Sequence, residues 1–380
     1  MRSLIPFALA LVATVGCAAR SPGHPSSGVT MTLPATDASG TMRPEPDAPI
    51  DAALRTQVID GVLEKLPATY VFPDVATRMV AAVRARVQRH EYDGVRSSVM
   101  LAHLLTEHLR EISHDKHLRV RYSASPVPPD RDPAKPTDLA KRERETRFAR
   151  GVNYGIERVE RLEGNIGYLE MRRFFEPSLA GETAAAAMTS LADTDALIID
   201  LRQNGGGEPA MVAFVATYLF DAEPVHLNDI YFRRDDRIRE FWTLPLIPAK
   251  RFGSKKPVYI LTSTRTFSSA EEFTYDLKAL KRAVIIGETT RGGANPCDEH
   301  RVTEHFSVFI PDGRPINPIT KTNWEGTGVK PDVETSAENA LSTAHILAIR
   351  QRIAQADDHE SDAHLRQILD ELQTKFGRRE

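Results

Sequence analysis

The sequence predicts an α/β protein in which a small three-helix domain precedes a layered strand–helix core. Three observations predict it. Between residues 51 and 113 apolar side chains recur at three- and four-residue spacing, the period of amphipathic helices. From Asn165 to Ile286, short apolar runs that read as buried strands alternate with helical stretches. One such alternation, residues 258–286, is strand, polar turn, helix, strand, with the pair Ser268-Ser269 where the helix begins.

The N-terminus reads as a targeting segment spanning residues 1–19. Arg2 supplies a positive charge and residues 4–15 are an apolar run of signal-peptide length. Thr14-Val15-Gly16-Cys17 resembles a bacterial lipobox, in which Cys17 would be lipidated and become the mature N-terminus. Threonine stands where leucine is preferred, so cleavage near Ala18 or Ala19 is the alternative. Either route predicts an exported protein, periplasmic or a cell-envelope lipoprotein of a bacterium. Residues 20–49, rich in Ser, Thr, Gly and Pro, read as a flexible tether. The only cysteines are Cys17 and Cys297, so stability is not expected to depend on a disulfide.

The helical domain is expected over residues 50–122. Leu54, Val58, Val62 and Leu66 form one stripe, with Asp51 as its cap. Pro73 opens a second helix carrying Val75, Met79, Val83 and Val87. A third runs from about Ser98 through Leu101, Leu104, Leu105, Leu109 and Ile112. The unit ends at Ser113-His114-Asp115-Lys116-His117, after which alternation predicts a strand.

Residues 123–162 form a charged, Pro-rich connection. The core domain is placed at 163–336. It opens with a strand at 165–171, a helix at 178–191 and a buried strand at 196–201. Gly205-Gly206-Gly207 follows directly, before a helix over 209–219, and lets a backbone approach something closely. It lacks the GxGxxG or P-loop pattern of a phosphate site, so a backbone-donor loop and a plain turn both stay open. Residues 225–242 read as a surface hairpin or lid, and 304–311 and 314–319 as strands around the Asp312-Gly313 turn. Two helices close the chain within 337–380.

The 380 residues are 41% hydrophobic and 27% charged, with a formal net charge of -3, so no sequence-independent hold on nucleic acid is implied. None of the twelve histidines stands in a paired HxxxH spacing and no CxxC exists, so neither metal nor cofactor is expected. The chemistry is concentrated at the loops. A serine at a helix mouth sits beside unpaired N–H donors. Ser268 and Glu271 equally fit a capping box, as do Ser269 and Glu272, so a mere cap is the competing reading. With His114 or His117 as base and Glu325 as carboxylate, the parts of a serine hydrolase are present.

Four strings, taken jointly, resemble the S41 peptidase family: Asp200-Leu201-Arg202-Gln203-Asn204-Gly205-Gly206-Gly207, Thr266-Phe267-Ser268-Ser269-Ala270-Glu271-Glu272-Phe273, Gly287-Glu288-Thr289-Thr290, and Glu325-Gly326-Thr327-Gly328-Val329-Lys330-Pro331-Asp332. That family holds the tail-specific processing proteases, the tricorn core protease and the modules of interphotoreceptor retinoid-binding protein. The resemblance runs from about Asp51 to Asp332 and implies a crotonase/ClpP-like ββα core. It implies Ser268 as nucleophile, Ser269 and Gly206 N–H groups as oxyanion hole, His117 as base with His114 its rival, and Glu325 as the orienting carboxylate. The lysine base of the tail-specific branch is missing, since Arg291-Gly292-Gly293-Ala294 occupies its loop. The 123–162 connection is too short for a PDZ domain, which brings the chain nearer the retinoid-binding-protein modules. The implied partner is a peptide substrate, with membrane contact only through the lipid anchor. The alternative is a hydrophobic-ligand carrier on the same fold.

Overall fold

The computed structural model describes residues 46–130, 139–247, 249–355 and 359–377. The targeting segment, Cys17 and most of the tether lie outside the described residues. The first described residues are already tied down: Pro49 bridges Ser97, and Ile50 N–H donates to Arg96 O at 3.0 Å.

Three helices form where the periodicity predicts them: α1 (Ala52–Thr69), α2 (Pro73–Gln88) and α3 (Ser98–Ser113). Asp51 Oδ1 accepts from Leu54 N–H at 2.8 Å, satisfying one orphan donor of the first turn. Val58, Val62, Leu66, Met79, Val83, Leu101, Leu105 and Leu109 pack into one core. Val87, the last apolar residue of the α2 stripe, is instead 42% exposed because the helix outruns its partners there. The strand β1 (Arg119–Tyr122) follows, beginning two residues after His117.

This unit does not close on itself. Phe306, Val308 and Ile310, from far along the chain, are part of its core. Each such buried side chain contributes about 1.5–3 kcal/mol. The loop holding His114 and His117 is thereby clamped to the rest of the molecule.

After a helix within the connection, α4 (Leu139–Gly151), come β2 (Ile156–Leu162), β3 (Ile166–Met171), α5 (Pro177–Ser190), β4 (Ala196–Asp200) and α6 (Pro209–Thr217). The hairpin strands β5 (His226–Phe232) and β6 (Arg237–Trp242) precede β7 (Val258–Thr262), α7 (Ser269–Ala279) and β8 (Val284–Gly287). The chain ends with β9 (Cys297–Arg301), β10 (Phe306–Pro311), β11 (Gly313–Ile316), β12 (Val333–Glu334), α8 (Ala340–Ala354) and α9 (His359–Gly377).

The main sheet has the order β12-β8-β7-β4-β3-β2. It is parallel except for β2, which runs against β3. Residues of α5, α6 and α7 form the core on one face, and those of α8 and α9 the core on the other. Every residue of β4 and β7 is buried, as a parallel sheet covered on both faces requires. The expected strands at 304–311 and 314–319 exist but do not pair with each other. β10 lies between β1 and β9, whereas β11 pairs with β5. Asp312-Gly313 therefore carries the chain between sheets instead of turning a hairpin. Partners distant in sequence decide the pairing, and a local turn signal does not contain them.

Candidate active site

The loops after β4, β7 and β8 leave the same edge of the parallel sheet, where such folds place their sites. They are stitched together. Thr266 Oγ1 donates to Leu201 O at 2.9 Å, Ser263 Oγ to Arg202 O at 2.6 Å, and Phe267 N–H to Asn204 O at 3.1 Å. Arg291 N–H donates to Thr266 O at 3.0 Å. Below them the Asp200 carboxylate takes Arg202 Nε at 2.9 Å and Tyr168 Oη at 2.7 Å, and Arg202 Nη1 reaches Ala337 O at 2.6 Å. The Asp-Leu-Arg part of the first string is thus a buried structural clamp under the glycine loop.

Ser268 stands at the mouth of α7 with φ 57° and ψ -127°. A residue with a Cβ is held in that region at a cost of about 1–3 kcal/mol. The glycine loop explains why only glycine fits opposite. A Cβ on Gly206, whose φ is +100°, would lie 2.6 Å from Ser268 Cβ, 2.8 Å from Phe267 O and 2.9 Å from Ser269 N. Among the described residues no acceptor holds Ser269 N–H, which leaves it as a free donor at the helix mouth. Ser269 Oγ donates to Gly207 O at 2.7 Å and locks the two loops. Gly206 N–H is engaged, donating to Asn204 Oδ1 at 2.8 Å. Its use as an oxyanion donor requires exchanging that acceptor for a substrate oxygen.

Ser268 and Glu271 form the capping box that the sequence offered, with Glu271 Oε2 accepting from Ser268 N–H at 3.0 Å. The same buried carboxylate also accepts from Thr290 Oγ1 at 2.5 Å, Gly292 N–H at 2.6 Å and Gly293 N–H at 2.9 Å. It therefore ties the serine turn to the loop after β8. Burial raises its pKa, and these donors oppose the rise.

His117 is buried at 4% exposure, its ring stacked on that of Phe267 with centroids 4.4 Å apart. Gly293 lies against both rings. The Arg291 guanidinium is 4.8 Å from the Phe267 centroid. Asp115 Oδ1 accepts from His117 N–H at 3.0 Å, while Asp115 Oδ2 accepts from Tyr70 Oη at 3.2 Å and Asn295 Nδ2 at 2.8 Å. Glu325 Oε2 accepts from the N–H groups of Ala294 at 2.5 Å and Asn295 at 3.1 Å. Trp324, buried beside it, donates Nε1–H to Gly293 O at 2.9 Å. One atom each of Asp115, His117 and Glu325 lie within 4.8 Å of one another.

Both ring nitrogens of His117 and Oε1 of Glu325 are buried without a hydrogen-bond partner. The imidazole is therefore bonded neither to Ser268 nor to Glu325 in this structure. Burial, then Arg119, Arg291 and Arg110, push the His117 pKa down to about 3, so the ring is neutral. Burial and then Asp115 push Glu325 up to about 7. His114 serves elsewhere. Exposed, at φ 56°, it ends α3, and its N–H donates to Arg110 O at 2.8 Å. Of the two histidines, His117 shares a pocket with Glu325.

Several site residues escaped the sequence reading as functional. Asn204 shapes the glycine loop, Phe267 shelves the imidazole, and Tyr70 and Asn295 hold Asp115. Lys116 donates to Arg291 O and docks the histidine loop on the loop after β8. Only the Asp-x-His spacing could have signalled Asp115; Asn204 and Phe267 stand inside the quoted strings without a sign of their roles, and Tyr70, Asn295 and Lys116 carry no local pattern.

The pattern described as Peptidase family S41 matches residues 165–335, and that of the N-terminal domain of Peptidase_S41 in eukaryotic IRBP matches residues 52–148. The Carboxyl-terminal-processing peptidase 1, chloroplastic, of Arabidopsis thaliana is 26% identical over 201 residues. That match spans 52% of this chain and 39% of the relative, well under two thirds of its length. A provisionally assigned peptidase from Parabacteroides merdae superposes with a TM-score of 0.51 at 16% identity, covering 74% of this chain and 90% of that one. A lipoprotein from Streptococcus agalactiae gives 0.50 at 14% identity, over 78% of this chain and 96% of that one. At these identities the two structures speak for the fold alone.

Proposed function

The chain belongs to peptidase family S41, and from that membership we propose that it is an exported serine peptidase that hydrolyses peptide bonds at Ser268. His117 takes the Ser268 Oγ proton as Oγ bonds to the scissile carbonyl carbon, since a free hydroxyl is a poor nucleophile. The carbonyl oxygen gains the electron pair and is met by Ser269 N–H and, once freed from Asn204, Gly206 N–H; such a donor contributes about 3 kcal/mol to the transition state. Collapse breaks the C–N bond, His117 returns the proton to the leaving amine, and water hydrolyses the acyl-enzyme by the same route. Glu325 orients the imidazole and offsets its charge when protonated.

One observation carries this reading. A serine held at positive φ at a helix mouth is followed by a free backbone donor and preceded by the aromatic ring on which a neutral, unpartnered imidazole is stacked. Neither ring nitrogen is bonded to Oγ in this structure, and catalytic hydrogen bonds commonly form only once substrate is bound. Export and lipidation at Cys17 rest on the sequence of residues 1–19.

The test is labelling by a serine-reactive phosphonate. Ser268→Ala is expected to abolish it with an unchanged melting curve, and His117→Gln to slow it by about a hundredfold or more. Full labelling of Ser268→Ala would refute the nucleophile. An unreactive wild-type protein that takes up a fluorescent fatty acid saturably would point to the carrier.

A further inference from the structure

We propose that the pocket of Asp115, His117 and Glu325 binds one Zn²⁺ ion, and that the metal-bound form is the resting, inactive state of the enzyme. The regulatory half rests on the reading of His117 as the base of Ser268; the binding half does not.

The three donors are one imidazole nitrogen and two carboxylate oxygens, mutually within 4.8 Å. Tetrahedral zinc with bonds of about 2.0–2.2 Å needs donors roughly 3.4 Å apart, so the set must close by about an ångström. Glu325 has the freedom to do this: Oε2 is fixed by two backbone N–H groups, but Oε1 is unpartnered. The second observation is independent of the acidic pair. His117, 4% exposed, has both ring nitrogens buried and unsatisfied. A buried polar atom without a partner is costly, and a metal bond at one of these nitrogens removes that cost.

The surroundings resemble the outer shell of a metal site. Tyr70 Oη and Asn295 Nδ2 hold Asp115 Oδ2, and the His117 N–H holds Oδ1, so the carboxylate is oriented before any ion arrives. Imidazole with carboxylates suits zinc, whereas the harder Mg²⁺ and Ca²⁺ prefer oxygen donors throughout. Three protein donors leave a fourth position for water. Arg110, Arg119 and Arg291 oppose a cation here, which favours a reversible regulatory ion over a permanent one. The sequence hides this set, because Glu325 stands far along the chain from Asp115 and His117. An imidazole whose lone pair is on zinc cannot accept the serine proton, so occupancy and catalysis exclude each other.

The experiment uses the full chain, freed of metal by a chelator, with Zn²⁺ alone as probe in equilibrium dialysis and Co²⁺ as its spectroscopic substitute. One Zn²⁺ per chain and a tetrahedral Co²⁺ spectrum are expected for the wild type and for Ser268→Ala. His117→Gln and Glu325→Gln should weaken binding roughly tenfold or more, and Tyr70→Phe to a lesser degree. Melting curves of each variant separate lost ligands from lost fold, and Tyr70→Phe keeps all three donors should the others unfold. Phosphonate labelling of the wild type should slow at saturating Zn²⁺ and recover with chelator. No stoichiometric binding by the wild type, or undiminished binding by folded His117→Gln and Glu325→Gln, overturns the site. Zinc binding at these residues with labelling unaffected overturns the regulation. Metal-free protein that never labels overturns the peptidase reading and leaves zinc binding to be judged by dialysis alone.

Discussion

Replacing Gly206 by alanine tests how closely the glycine loop must approach the serine turn. The added Cβ would meet Ser268 Cβ at 2.6 Å, Phe267 O at 2.8 Å and Ser269 N at 2.9 Å, where ordinary contact begins near 3.4 Å. None of the three is the tip of a flexible side chain; all belong to the backbone or first carbon of the turn. The turn must retreat by roughly half an ångström or more to restore van der Waals separation. The residue must also hold φ at +100°, a region that costs an L-residue about 1–2 kcal/mol. With overpacking of about 1–3 kcal/mol, the substitution should destabilise by about 2–5 kcal/mol, read as a lower denaturant midpoint. The shift moves Ser268 Oγ relative to its donors, and misplacement on this scale costs on the order of a hundredfold in rate. The assay is the rate of phosphonate labelling in native buffer, where the variant remains folded. Gly205→Ala is the control: exposed, with nothing within 4 Å of its Cβ, it should label at close to the wild-type rate. A Gly206→Ala protein that labels as fast as the wild type would refute the reasoning.

Three other outcomes are expected. Ser268→Gly should abolish labelling yet raise stability by about 1 kcal/mol in denaturant titration, because the positive φ is no longer strained. Glu271→Gln puts an NH₂ group among donors that all need an acceptor; it should cost about 2–4 kcal/mol and slow labelling more than tenfold. The third concerns Glu272 and Asp276, one turn apart on α7 and fully buried, whose amide partners are Asn228 of β5 and Asn317 of the loop after β11. Burial raises both carboxyl pKa values, Glu272 to about 7, and for Asp276 the Glu272 charge adds to the rise. The folded state then holds protons that the unfolded chain releases near 4.5, so stability falls as pH rises from there through about 7. Unfolding midpoints across that window should fall less steeply for Glu272→Gln/Asp276→Asn than for the wild type, the remaining slope coming from other raised carboxyls such as Glu325; equal slopes would contradict it.

The α1–α3 helices, the buried strands β4 and β7, and the serine at the mouth of α7 were legible because each is encoded within a few residues. Three-residue spacing, a capping aspartate and an apolar run act through near neighbours. The strands β2 and β9 were not legible because both are rich in charge, although each pairs with the strand next to it in the chain. The pairing of β10 with β1 and of β11 with β5 was not legible because those partners lie far off. The site divides in the same way. Ser268 and Glu271 could be read as a cap and a candidate nucleophile from one turn of sequence. Nothing local reveals that Glu271 also gathers Thr290, Gly292 and Gly293.

The amino-acid order thus settled which segments become helix or buried strand, and which serine stands at a helix mouth, because backbone preference and apolar period are short-range properties. Which histidine meets Glu325, and that its imidazole leans on Phe267 with both nitrogens empty, was settled only when β1 joined β10 and carried residues 114–118 across to the loop after β8. Burial sets those nitrogens' charge state, and burial belongs to the assembled chain, where distant loops exclude water from one another.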